Sequence, residues 1–114
     1  MTILAVPAAS TGLVTASRWV RHLCPHVPEV DEGRVAITWR CDGDTIELHS
    51  LSAYLDEWAA CRISHEEIVA RIASDIARSG RVTDVRVVGS FNTAGIEVEV
   101  TCAVPNKHVS SPFA

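Results

Sequence analysis

No apolar run in this chain of 114 residues approaches the roughly 20 residues that a membrane-spanning helix needs, and no basic stretch precedes its apolar start as an export signal would require. The expected compartment is therefore the cytoplasm, with no membrane partner. A cationic excess is missing too: 10 lysines and arginines stand against 14 aspartates and glutamates, for a formal charge of −4. The basic residues are scattered, which excludes a stand-alone nucleic-acid binder and leaves any polynucleotide contact to a local patch. Cys24, Cys41, Cys61 and Cys102 show no Cys-x-x-Cys and no short paired spacing, so no disulfide framework is indicated and reduced thiols are expected. Neither a glycine-rich phosphate loop of the Rossmann or Walker kind nor a repeat or low-complexity tract is present.

What is present fits a single domain over residues 1–114, with an N-terminal arm or first edge segment at 1–12 and a polar tail at 105–114. Residues 13–23 place Val14, Trp19, Val20 and Leu23 where a short helix or a strand would serve equally, and period alone does not separate the two. After a loop ending at Gly33, Val35, Ile37 and Trp39 alternate with Ala36, Thr38 and Arg40 as in a half-buried strand. Asp42-Gly43 is the strongest hairpin-turn signal, and residues 45–49 are expected to return as that strand's antiparallel partner.

Leu51, Tyr54, Leu55 and Trp58 then recur at helical spacing as far as about Cys61. A second helix opens on the capping box Ser64-His65-Glu66-Glu67, carries the stripe Ile68, Ile72, Ile76, and runs to Ser79, with Gly80 as a left-handed stop. Residues 82–91 and 96–103 complete the pattern as two strands. The expected fold is α+β: an antiparallel four-stranded sheet with two helices layered on its apolar face.

Chemistry concentrates in two stretches. Cys24 precedes Pro25 on a bend that disfavours helix, where a thiolate could reach a ligand, and Asp31 follows close enough to return to the same pocket as general acid or base. A buried core thiol and a solvated loop aspartate fit the same spacing. Glu66 lies in a first helical turn, where the macrodipole favours a carboxylate whatever its role; it could also accept two parallel N–H bonds from the edge of a guanine or pterin. His65 beside it reads as a surface residue of that turn. His22, Cys24, His26, Cys41, His49 and Cys61 are ligand types, yet His-x-Cys-x-His is no recognised zinc knuckle, and no metal site is expected.

Taken together, these stretches resemble the nitrile reductase family of queuosine biosynthesis, whose members act on 7-cyano-7-deazaguanine and have the tunnelling (T-fold) architecture. The family's Cys-Pro, five residues, Asp is met by Cys24, Pro25 and Asp31; its Glu-x-Lys-x-x-Lys-x-Tyr falls on Glu47, His49, Ser52 and Tyr54; its His-Glu pair falls on His65 and Glu66. The resemblance implies that Cys24 adds to the nitrile carbon to give a thioimide and that Asp31 donates a proton. It further implies that Glu66 grips the base edge with His65 lining the pocket, and that Glu47, His49 and Ser50 add substrate contacts. Both lysines of the reductase motif are replaced, by His49 and Ser52, and an Arg-Gly-Gly turn is shortened to Thr93-Ala94-Gly95.

Those cationic groups would serve NADPH. Their loss makes the chain resemble the shorter amidine-forming branch typified by archaeosine synthesis, with ammonia as co-substrate and no other cofactor. An NADPH-dependent reductase is the alternative, followed by a zinc-dependent cyclohydrolase of the same architecture and a non-catalytic purine-binding or assembly module. The implied partners are a deazaguanine base, free or within tRNA or DNA, and further copies of the chain in a pentamer or decamer with sites at subunit interfaces.

Overall fold

The computed structural model describes residues 2–79 and 81–105. Its elements run β1 (Ala5–Pro7), β2 (Gly12–Leu23), β3 (Val30–Cys41), β4 (Asp44–Ile46), α1 (Leu48–Asp56), a 3-10 turn (Glu57–Ala60), α2 (His65–Ser79), β5 (Thr83–Thr93) and β6 (Ile96–Ala103). Strands β2, β3, β5 and β6 form, in that order, an antiparallel four-stranded sheet, and α1 and α2 close its apolar face as expected of this α+β class. Among the described residues no helix is long and apolar enough to cross a membrane.

Residues 13–23 settle as strand because the ladder with β3 pairs every residue from Gly12, opposite Cys41, to Leu23, opposite Val30. The inward face of β2 carries Val14, Ala16, Arg18, Val20 and His22. Arg18 is tolerated there because its guanidinium donates to Ser52 Oγ and meets Asp56 Oδ1, each at 2.6 Å. In α2 the stripe Ile68, Val69, Ile72 and Ile76 is fully buried, in one core with Val35, Ile37 and Trp39 of β3 and Val85 and Val87 of β5. Burial of each large aliphatic side chain is worth about 1.5–3 kcal/mol, so this layer anchors the start of α2 against the sheet.

Two expectations are corrected. β3 begins at Val30 rather than after Gly33, so Asp31 stands on an inward-facing strand position and not in a loop. The turn at Asp42-Gly43 forms, with Gly43 at φ 86°, but residues 45–49 do not return as the partner of β3. Instead β4 ends at Ile46 and pairs with β1, Ala5 opposite Ile46, in a separate two-stranded sheet that fixes residues 5–7 as an edge strand. The Glu47 carboxylate ends β4 by accepting from the backbone N–H groups of His49 and Ser50, both at 2.7 Å, which caps α1. At α2 the Ser64 half of the expected capping box is in place, with the Glu67 N–H donating to Ser64 Oγ at 3.2 Å. The stop expected at Gly80 and the tail beyond Pro105 lie outside the described residues.

The capping amides of His49 and Ser50, aided by the His49 ring, hold the Glu47 carboxyl below its usual value. A depressed folded-state value means that the carboxylate stabilises the fold above the unfolded pKa of about 4.3, and that this contribution is lost as pH falls through the folded value. Glu47→Ala is therefore expected to lower the urea midpoint at neutral pH, with the gap to wild type closing on acidification below about pH 4. A gap that persists unchanged into acid would assign the effect to packing instead.

Candidate active site

Cys24 is the first residue beyond β2, half-buried at the mouth of the β2–β3 hairpin. Its N–H donates to the Glu29 carbonyl at 2.9 Å, closing the loop that contains Pro25 and Pro28. The strand end is clamped from the other side: Leu23 N–H donates to Cys61 O at 2.8 Å and Ile63 N–H to Leu23 O at 3.0 Å, a short parallel bridge. Arg62 Nη1 adds a bond to the Cys24 carbonyl at 3.1 Å. The segment leading into α2 thus runs beside the cysteine, which is how Ser64 and His65 come to the same end of the sheet.

Asp31 sits directly opposite His22 in the β2–β3 ladder. Its Oδ2 lies 3.4 Å from His65 Nε2, with the two side chains only 12% and 13% exposed, so the pair is largely withdrawn from water. The His65 ring lies flat on Phe91, centroids 4.1 Å apart and planes 5° from parallel, and Thr93 Oγ1 is 3.4 Å from its Nε2. Phe91 reaches this position because Gly33 and Gly89 leave space: a Cβ on Gly33 would lie 2.2 Å from Phe91 Cδ1, and one on Gly89 2.7 Å from Cε2.

His22 completes the cluster. It is fully buried, edge-on to both His65 (5.3 Å) and Phe91 (5.7 Å), and neither ring nitrogen makes a well-formed hydrogen bond among the described residues. Burial lowers its pKa from the ordinary histidine value and His65 adds to that shift, while Asp31 and the nearby backbone groups of Ile63 and Leu23 oppose it. One ligating atom from each of His22, Asp31 and His65 falls within 4.8 Å of the others, and among the described residues these three could hold a metal ion. Spacing along the chain conceals this set, because strand register, not sequence distance, brings His22 to Asp31.

Of the residues singled out from sequence, the fold gathers Asp31 and His65 beside the segment that carries Cys24. Glu66 is exposed one position further along α2. Glu47, His49 and Ser50 form a second group at the start of α1, where His49 Nδ1 is 2.9 Å from Glu47 Oε2 and the His49 side chain is otherwise fully exposed. The Ser50 hydroxyl is already engaged, donating to Glu47 O at 2.8 Å and accepting from Leu4 N–H at 2.9 Å. Sequence reasoning missed His22, Phe91 and Thr93 as site neighbours. The alternation that puts Val20 and His22 on one face of β2 was the available signal for the first.

A family model described as QueF-like protein matches residues 30–109, a segment that contains Asp31, Glu47, His65 and Glu66 and begins after Cys24. The NADPH-dependent 7-cyano-7-deazaguanine reductase of Prochlorococcus marinus strain AS9601 is 32% identical over 72 residues, which are 63% of this chain and 53% of that protein. Its counterpart from strain MIT 9301 is 31% identical over the same shares. The chain therefore spans about half the length of the curated relatives it matches. A crystal structure of the archaeosine synthase QueF-Like in the apo form superposes with a TM-score of 0.79, covering 84% of this chain and 99% of the other at 23% identity, a likeness of fold.

Proposed function

The chain belongs to the QueF-like protein family, and from that premise we propose that it converts the nitrile of 7-cyano-7-deazaguanine to an amidine through a thioimide on Cys24. The observation that carries this is the placing of Asp31: a mostly buried carboxyl, 3.4 Å from His65, on the strand that leaves the cysteine's hairpin. The Cys24 sulfur forms a bond to the nitrile carbon as one carbon–nitrogen π bond breaks. Asp31 delivers the proton to nitrogen, and the thiol proton restores the carboxyl. Ammonia then adds to the thioimide carbon, the carbon–sulfur bond breaks, and the thiolate leaves with a proton. Nitrile plus ammonia equals amidine, so no reductant enters.

Glu66 takes the N–H edge of the base, His65 lines the pocket, and Glu47, His49 and Ser50 contact the substrate where a neighbouring copy brings the start of α1 to the cleft. Assembly as a pentamer or decamer is part of this reading. It is supported by the open edges of the sheet at β2 and β6, which a second copy can extend. The negative net charge favours a free base, or a polynucleotide held by a local patch only.

A second reading, NADPH-dependent reduction to the aminomethyl base, is favoured by the names of the curated relatives. Against it stand His49 and Ser52 where that motif has lysines, and Arg18, the cation nearest Ser52, is neutralised by Asp56 at 2.6 Å. Incubation with 7-cyano-7-deazaguanine and ammonium, with and without NADPH, separates the two. The expected product is heavier by one molecule of ammonia and forms without NADPH. Loss of NADPH absorbance with a product heavier by two molecules of hydrogen would replace this reading with the reductase.

A further inference from the structure

We propose that His22, Asp31 and His65 form a binding site for a divalent transition-metal ion of the zinc class, and that an ion held there blocks thiol addition by taking Asp31 as its ligand. The binding half stands on geometry alone. The blocking half rests on the nitrile reading above.

Two imidazoles and one carboxylate are a donor set that borderline-soft divalent ions prefer, and they come from three separate elements, β2, β3 and α2. The separation of Asp31 Oδ2 and His65 Nε2, 3.4 Å, is longer than a good hydrogen bond. It matches the edge of a tetrahedron with bonds of about 2.0–2.1 Å, roughly 3.4 Å, which is the spacing of two ligands on one ion. All three ligating atoms already lie within 4.8 Å of one another, so closure on an ion needs a shift of at most about 1.4 Å in the least well-placed of them.

The second observation is His22 itself. Buried polar atoms are almost always partnered, yet this ring is wholly withdrawn from solvent and neither nitrogen makes a well-formed hydrogen bond among the described residues; the Leu23 and Ile63 backbone groups approach it only at poor geometry. A metal ion would supply a well-aligned partner. The frame is stiff enough to present the set: His22 and Asp31 are locked opposite each other by the ladder, and His65 is held flat on Phe91. Such an ion requires Asp31 as carboxylate and leaves no proton on it to donate, so occupancy and nitrile addition exclude each other.

Titration of the metal-free full-length chain with Co2+, followed by visible absorption, and with Zn2+, followed by calorimetry, tests the site without substrate. The expected result is one ion per chain with a tetrahedral Co2+ band and no sulfur charge-transfer band. Binding should be unaffected by Cys24→Ala and weakened more than about 100-fold by His22→Phe and by Asp31→Asn, beyond the loss expected from an outer-sphere partner. Asp31→Asn is nearly isosteric, and circular dichroism confirms that each variant is folded. No saturable binding, or binding undiminished in a folded variant, overturns the site.

The blocking half is read from the covalent adduct. One equivalent of Zn2+ should prevent it in wild type, a chelator should restore it, and His22→Phe should form it with or without zinc. Adduct formation at full metal occupancy overturns the blocking half. Absence of any adduct from the metal-free protein would instead bring down the nitrile reading and leave the binding result standing.

Discussion

Cys24→Ala is expected to abolish the mass gain of one 7-cyano-7-deazaguanine per chain and to lower turnover by roughly 10⁴-fold or more, the usual scale for loss of a nucleophile. The fold should survive, because Cys24 is half-buried at a hairpin mouth and its backbone, not its sulfur, makes the bonds to Glu29 and Arg62. Asp31→Asn should behave differently. It keeps the thiol but removes the proton donor, so the adduct forms slowly and turnover falls by about 10²- to 10⁴-fold. If Cys24→Ala retains the adduct, the sulfur is not the nucleophile. If both variants retain full activity, the chemistry does not run through Cys24 and Asp31, and the cluster around Asp31 is structural.

The contrast between these residues and the elements that carry them shows what a one-dimensional reading can reach. Helix α2 was legible because its signals are local: Ser64 caps it, and the buried stripe from Ile68 to Ile76 repeats within a few turns. Strand β6 was legible for the same reason, its alternation being uninterrupted. Strand β2 was not, because its inward face holds Arg18 and His22 while Leu13 and Trp19, both more than half exposed, face outward. Hydrophobicity therefore does not sort its two sides. The partner of β4 depended on residues 5–7 arriving from the far end of the chain, and the polar run around Asp31 and Glu32 looked like loop until the ladder with β2 gave it a register. The candidate site inherits this division: Cys24, Asp31, His65 and Glu66 are proposed from motifs, whereas His22 and Phe91 become neighbours only through long-range pairing.

Gly33→Ala is expected to be the most damaging single-methyl change at the site. An alanine in a strand ordinarily gains about 0.5–1 kcal/mol over glycine, so on propensity alone this substitution should stabilise. Space decides otherwise. The new Cβ would stand 2.2 Å and 2.3 Å from Phe91 Cδ1 and Cε1, distances that no packed carbon adopts. The other edge of the ring already lies close over Gly89, where an added Cβ would stand 2.7 Å from Phe91 Cε2. Overpacking of this kind costs about 1–3 kcal/mol, which outweighs the propensity gain. Phe91 must leave the His65 ring, and with it goes the alignment of His65 on Asp31.

The expected outcome is a lower urea midpoint together with loss of the Cys24 adduct. Adding Phe91→Leu to Gly33→Ala should recover part of the stability, with a coupling of about 0.5–3 kcal/mol, because the two substitutions contend for one volume. Gly12→Ala, where nothing lies within 4 Å of the added carbon, is the control and should change stability by no more than about 0.5 kcal/mol. Should Gly33→Ala prove as benign as that control, Phe91 does not occupy the space between Gly33 and Gly89, and His65 is held by something other than the ring.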